Sequence, residues 1–416
     1  MKTIWIIDHY SSEPKYGGIS RQYDFAKELG KRGYRVVVIS SSFCHFTHSY
    51  FSEKRVFITR PGKNIFYVYL RTGSYQSNNG AGRAWSMVDF MGKVLKYEKA
   101  IAERCQKPDV VIGCSVHPLA WIAAYGVASK YKVRFCAEVR DFWPRIWVAG
   151  GDKKRMDPMV LFFDAIQRWA FWKADKIIYS MSRGKDYLCG ELGVPKSKAV
   201  LIGQPMDCDR FDENAKKEEM LPNPVREFLS DGFICSFAGY YMVYEGVYVM
   251  LEALKILEEK GLPVKMLFVG SGQEREGMME YARRNGLKNV LIYDRIPKEA
   301  VPALLQRSQV CMAHLEVKGH KEVYQYGVSK NKVNEYLYSG ACTLYGFLYQ
   351  EDEVASSGGG MMFKPYNAED LAEKIEMVYE MTEDERRQFG MNGRRYIREN
   401  RRVEALTDKL VRVLFG

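Results

Sequence analysis

The reading of residues 3 to 40, TIWIIDHYSSEPKYGGISRQYDFAKELGKRGYRVVVIS, decides the architecture. Thr3 to Ile7 is a continuous apolar run of strand length, Arg21 to Arg32 has helical periodicity, and Arg35 to Ser40 is apolar again. The loop after the first strand holds Gly17 and Gly18, which let backbone approach a ligand closely, and the amides of the helix that follows face anions. A strand, glycine loop, helix and strand in that order begin a parallel sheet, because parallel strands need a crossover.

The same alternation runs along nearly the whole chain. At 416 residues it exceeds one ordinary core, so two domains of about 200 residues are expected. Strands at Asp109 to Cys114, Val133 to Val139, Lys176 to Ser180 and Ala199 to Ile202 complete the first. Alternation restarts at Phe233 to Ala238 and continues through strands ending with Met361 to Lys364. The expected bounds are 1–205, 206–395 and a terminal helical segment, 396–416, free to cross back to the first domain. Asp207-Cys208-Asp209 has the order of a metal-binding pair but follows a Gly-Gln-Pro turn and is read as linker. The aromatic, Gly/Ser/Asn-rich stretch 50–83 is of the kind that closes over acceptors.

Charge is unevenly placed. Residues 1 to 200 carry 33 Lys+Arg against 17 Asp+Glu, and the remainder 29 against 34, within a net charge of +11. A basic first half points to an anionic partner: an acidic membrane surface or a phosphorylated substrate before nucleic acid, for which no motif spacing is present. Nine scattered cysteines with no CxxC pair indicate neither a disulfide frame nor a metal site and fit a reducing cytosol. No apolar run reaches membrane-spanning length, and Asp8 and His9 interrupt the start too soon for a signal peptide. The expectation is a cytoplasmic protein, soluble or peripheral. MVLFFDAIQRWAFWK, 159–173, follows Lys153-Lys154-Arg155 and divides between core and an interfacial segment on anionic lipid.

Three places carry candidate chemistry. His117 lies just past a strand's C-terminal end, where open α/β sheets bind ligands. Glu138, Arg140 and Asp141 crowd three charges at another such end; Asp141 could orient or deprotonate an acceptor hydroxyl with Arg140 on phosphate, or the two could form a structural pair. In YGVSKNKVNEYLYSGA, 326–341, Ser329 is the expected N-cap of a helix over Lys330 to Tyr338. Asn331 and Glu335 then share a face beside Lys332, and a phosphate and a hydroxylated ring could be held together. Gly270-Ser271-Gly272 is a generic turn or phosphate-side signal, lacking the third glycine of a dinucleotide fingerprint.

These pieces in this order resemble family 4 glycosyltransferases of the GT-B fold, two doubly wound Rossmann-like domains facing across a cleft. The resemblance runs from YGGISRQYDFAKEL through FVGSGQEREGM to GVSKNKVNEYLYSGA. RDxWP at Arg140 to Pro144 and SxNK followed by an acidic residue and Tyr, Ser329 to Tyr336, are similar to the branch that builds bacterial surface polysaccharides. It implies that Glu335 meets the donor ribose and that Lys332 and the amides near Ser329 hold donor phosphate. It further implies that Gly17 and Gly18 cover the diphosphate and that the backbone near Ile296 meets the base. The nucleotide-sugar, UDP-linked before GDP-linked, is a co-substrate; no cofactor or metal is implied, and the acceptor is a polyprenyl-diphosphate-linked saccharide at an anionic membrane surface. Three positions depart from the family: Gly327 replaces an acidic residue, and Tyr240 and Glu245 stand where phosphate-binding Arg and Lys are usual. Either Lys330, Lys332 and Arg21 supply that charge, or the donor is gripped in an unusual way, or activity is impaired. A non-catalytic nucleotide-sugar-binding partner and a GT-B epimerase are the rival readings.

Overall fold

The structure, a computed structural model, describes residues 1–17, 21–45, 47–76, 80–149, 153–315, 324–349 and 352–416. Gly18 and much of the loop after Leu315 lie outside the described residues. The chain divides into two compact units. Unit 1 comprises Met1–Pro205, Gly319–Ser329 and Val403–Gly416, and unit 2 comprises Met206–Lys318 and Lys330–Arg402.

In unit 1 the elements are β1 (Thr3–Ile7), α1 (Arg21–Lys31), β2 (Arg35–Ser41), a short hairpin of β3 (Phe43–Cys44) and β4 (Ser49–Tyr50), β5 (Val56–Gly62) and β6 (Ile65–Leu70). They continue with α2 (Ala81–Cys105), β7 (Val110–Cys114), α3 (Leu119–Tyr131), β8 (Arg134–Val139), α4 (Arg145–Ala149), α5 (Pro158–Lys173), β9 (Lys176–Tyr179) and β10 (Ala199–Leu201). The eight-stranded sheet has the order β10-β9-β8-β7-β1-β2-β6-β5. Its inner strands are buried on both faces, which is why they read as continuous apolar runs, while the edge strands β5 and β10 are partly exposed. Only β5 runs antiparallel to its neighbour, because the turn at Lys63-Asn64 is too short for a crossover. After β6 the chain crosses by α2 to the other side of β1, so the topological switch point lies between β1 and β7.

Unit 2 contains α6 (Cys208–Asn214), α7 (Asn223–Phe228), β11 (Phe233–Tyr240), α8 (Val247–Glu259), β12 (Val264–Ser271), α9 (Arg275–Arg284), β13 (Val290–Tyr293), α10 (Val301–Gln306) and β14 (Val310–His314). After the loop come α11 (Asn331–Ser339), β15 (Cys342–Gly346), α12 (Glu353–Ser357), β16 (Gly360–Phe363), α13 (Ala368–Glu380) and α14 (Glu383–Asn400). The six-stranded sheet is parallel throughout, in the order β13-β12-β11-β14-β15-β16, with its switch point between β11 and β14. Both units are therefore doubly wound and Rossmann-like.

Two expectations need correction. Asp207-Cys208-Asp209 is not a linker: Asp207 caps α6, its Oδ1 accepting from Arg210 N at 3.0 Å. The terminal segment begins at Val403 rather than 396, because α14 runs on to Asn400 within unit 2. The last helix, α15 (Val403–Phe415), buries Leu406, Leu410, Val413 and Leu414 in the same core as Phe25 and Leu29 of α1.

Candidate functional site

Each switch point gathers polar side chains. In unit 1 they come from the C-terminal ends of β1, β7 and β8. Asp8 is fully buried and pairs with Arg140 at 3.1 Å. Arg140 also donates from Nε to the Ser115 carbonyl at 2.9 Å, so its guanidinium ties three strand ends together. Burial works against this cation, but Asp8 and Glu138 outweigh it and raise its pKa. Its remaining terminal nitrogen is buried with no hydrogen-bond partner. Asp141 lies next to this network. Burial raises its pKa, with Arg140 and Arg83 acting the other way.

His117 is fully buried, and its Nε2 lies 2.8 Å from His9 Nδ1. Burial drives the His117 pKa down to about 3, so the ring is neutral at physiological pH. Its Nδ1 has no partner. His9 stacks between Tyr10 and Phe90, each centroid 4.4 Å away. The His117 ring also meets the edges of Tyr10 and Phe90, with centroids 5.9 and 6.3 Å away. Arg83, from the first turn of α2, closes the cluster by donating to the Tyr10 hydroxyl at 3.3 Å.

Arg21 is in the wrong place for the role expected of it. Its guanidinium turns into unit 1, paired with Glu138 at 2.9 Å and donating to the carbonyls of Gly203 at 2.6 Å and Ile202 at 2.9 Å. It is 1% exposed and braces β8 against the end of β10. Gly17 ends a short turn, its N–H donating to Pro14 O, with φ of 73° that a side chain would strain.

In unit 2 the switch point is filled by an ionic triad. Glu245 is buried and accepts from Lys332 Nζ at 2.9 Å and Lys330 Nζ at 3.2 Å. Lys330 also donates to the His314 carbonyl at the end of β14, 2.8 Å away. Burial opposes ionisation of Glu245, yet the two lysines hold its pKa below the usual value. Burial lowers Lys330 to about 8, with Glu245 resisting the fall. Lys332 lies 4.5 Å from the Phe237 ring centre, and Gly239 leaves it room, since a Cβ there would sit 2.5 Å from Nζ.

The N-cap of α11 is Lys330, in extended conformation and without a side-chain cap, so Ser329 does not cap the helix. The register shift frees the Lys330 side chain to reach Glu245. Asn331 opens the helix, exposed, and Glu335 stands one turn on, half-buried. The helix is fixed by Tyr336, whose hydroxyl accepts from Ala238 N at 2.8 Å and donates to Ala238 O at 3.0 Å. Gly272 has a packing reason: a Cβ would collide with the Tyr241 carbonyl. Ile296 is half-buried beside Arg295, whose Nε donates to Ser271 Oγ at 2.5 Å and whose guanidinium lies 5.5 Å from the Tyr240 ring.

Comparison with known proteins bears on both units. The model described as Glycosyltransferase Family 4 matches residues 16–210, and that described as Glycosyl transferases group 1 matches residues 226–396. The chain belongs to glycosyltransferase family 4. A curated relative, 2-deoxystreptamine glucosyltransferase of Streptomyces kanamyceticus, is 24% identical over 37% of this chain and 41% of its own length. Among solved structures, sucrose-phosphate synthase from Thermosynechococcus elongatus aligns over 99% of this chain and 98% of its own, at 16% identity and TM-score 0.70. HepE of Anabaena, solved in complex with UDP-glucose, aligns over 100% of this chain and 99% of its own, at 12% identity and TM-score 0.65. These likenesses show the GT-B fold.

The glycosyltransferase's departures from its family have local causes. Gly327 has φ of 88°, and a Cβ there would run into Ser182 Oγ, so no acidic side chain fits. Glu245 joins the two lysines of the SKNK motif rather than leaving a gap. Tyr240 has Arg295 over its ring. Arg83, His9 and Arg295 also belong to these clusters, beyond the residues expected from sequence. A signal for His9 existed, since Asp8-His9-Tyr10 follows β1 directly, but Arg83 and Arg295 are isolated cations whose neighbours come from distant segments.

Proposed function

We propose that this glycosyltransferase moves a sugar from a UDP-linked donor to a polyprenyl-diphosphate-linked saccharide, retaining anomeric configuration without a metal or other cofactor, in the assembly of a bacterial surface polysaccharide. The observation that carries the donor half is the Lys330–Glu245–Lys332 triad at the β11/β14 switch point, with Glu335 one helical turn away. Anionic phosphate suits the triad's net positive charge and the N-terminus of α11, while Glu335 suits ribose hydroxyls. The UDP-glucose complex of HepE supports uridine. Lys332 meets developing charge on the leaving diphosphate, and the amide-rich start of α11 assists it. In unit 1, Asp141 orients the acceptor hydroxyl, with Arg140 holding Asp8 and the strand ends in place. The excess of cations in residues 1–200 supports an anionic membrane surface, met from the cytoplasmic side.

Thermal stabilisation by a set of UDP- and GDP-sugars tests the donor, since a ligand bound only by the folded state raises the melting point. The expected result is a shift with a UDP-sugar that Lys332→Ala reduces, with affinity falling on the order of tenfold or more for loss of a charge-assisted contact. An unchanged affinity in Lys332→Ala, or the same in Glu335→Ala, removes that residue from the donor site.

A further inference from the structure

Unit 1 holds an open apolar cavity of about 760 Å³ that the donor reading does not use. Met87 and Met91 of α2, Leu119 and Ile122 of α3, Trp143 and Phe163 form its wall. Its outer lip is Val88, Met159 and Phe162, which are 42%, 43% and 58% exposed. Leaving such side chains in water costs free energy that burial of a ligand would recover, and a continuous exposed apolar surface marks a binding site. Of the segment 159–173, expected to divide between core and lipid contact, α5 buries Val160, Phe163 and Ile166 within unit 1, while Met159 and Phe162 line the opening.

The charged groups of this cavity are cationic. Arg83 and Lys153 both line it. Arg83 is also the residue that joins it to the strand-end cluster, its guanidinium 5.9 Å from the Trp143 ring and 5.5 Å from the Tyr10 ring. Asp141 adjoins the cavity wall, its carbonyl accepting from the N–H of the lining residue Trp143 at 3.0 Å. The order along the surface is therefore apolar cavity, cation, then the carboxylate assigned to the acceptor hydroxyl. That order matches a long hydrocarbon chain, a phosphate group and a saccharide. Methionine and aromatic walls suit a methyl-branched chain, because thioethers fill irregular gaps.

We infer that this cavity binds the isoprenoid chain of the acceptor, with Arg83 and Lys153 taking its diphosphate; the inference rests on the lipid-linked acceptor proposed above. Calorimetric titration of the full chain with inorganic diphosphate, dimethylallyl diphosphate and geranylgeranyl diphosphate tests it. Affinity should tighten by at least about tenfold per added isoprene unit until the cavity is filled, because each buried methylene contributes to binding. The double variant Met159→Ser/Phe162→Ser, confined to exposed positions, should flatten this chain-length dependence while leaving the melting point and the UDP-sugar shift unchanged. Arg83→Gln should weaken all three ligands by a similar factor. A wild-type protein indifferent to chain length overturns the assignment, as does a double variant with the wild-type dependence. Equal affinity for a lysophosphatidic acid of matched length overturns the isoprenoid assignment in favour of membrane phospholipid. Failure of the acceptor reading is distinguishable: the wild type then glycosylates a lipid-free saccharide as fast as its lipid-linked form, whatever the titrations give.

Discussion

At the scale of single residues, the unit 2 site depends on how burial and charge are balanced. Lys330 faces Glu245, Lys332 and Asp352, and burial sets its pKa at about 8. It is therefore protonated below pH 8 and loses its charge above. Donor affinity is expected to fall as pH rises through about 8, and Lys330→Arg, which stays charged, should flatten the profile when Kd is measured across pH 6.5 to 9.5. Asp352 is the opposite case. Burial raises its pKa from 3.8 to about 7, although it caps α12 by accepting from Val354 N. The folded state thus holds a proton that the unfolded state releases from about pH 4 upward. Stability falls as pH climbs through that window, and the penalty is complete above pH 7. Asp352→Asn keeps the cap and should raise the melting point at pH 8 by the equivalent of a few kcal/mol, with the gain vanishing near pH 4. Differential scanning calorimetry at the two pH values decides it.

At the scale of elements, α11 shows both what could be read from the chain and what could not. Its place before β15, its length and the positions of Lys332 and Glu335 follow from periodicity and spacing. Its cap does not, because Ser329 before Lys-Asn-Lys satisfies the local preference while the Lys330 pairing with Glu245, 85 positions earlier, overrides it. The same distance dependence hid the fate of Arg21, which looks like a helix-start cation in sequence and is consumed by Glu138 and by carbonyls more than 180 residues away. The alternation of strands and helices was legible because the inner strands of both sheets are buried on two faces. Charge partners across strand ends were not, since sequence spacing carries no information about which strand lies beside which. Tyr336 is the element's main tether to β11. Tyr336→Phe removes both bonds to Ala238 and strips that half-buried backbone N–H and C=O of them. About 1–3 kcal/mol of stability should be lost in urea unfolding, and donor affinity should fall with it as Lys332 and Glu335 lose their fixed position.

At the scale of the whole molecule, the terminal helix matters more than its size suggests. Alongside the four aliphatic side chains this helix shares with the α1 core, Arg32 pairs with Asp408 and donates to the Glu404 carbonyl, and Arg134 donates to the Gly416 carbonyl at 2.8 Å. Burial of the four side chains alone is worth about 6–12 kcal/mol, comparable with the entire stability of a domain. Removing residues 403–416 should therefore abolish the cooperative melting of unit 1. Unit 2, which contains none of that core, should remain protected in hydrogen exchange. Among the described residues no helix is long and apolar enough to cross a membrane.

The return of α15 to unit 1 also has a bearing on biosynthesis. A ribosome finishes Pro205 about 200 residues before it reaches Val403, and at roughly 5–20 residues per second that interval is on the order of 10–40 s. Throughout it, nascent unit 1 exposes the apolar groove of α1 that α15 later fills, while unit 2 can fold to completion as an insertion. The order of maturation is thus the reverse of the order of translation, and chaperone occupancy during synthesis belongs on the first unit, not the second.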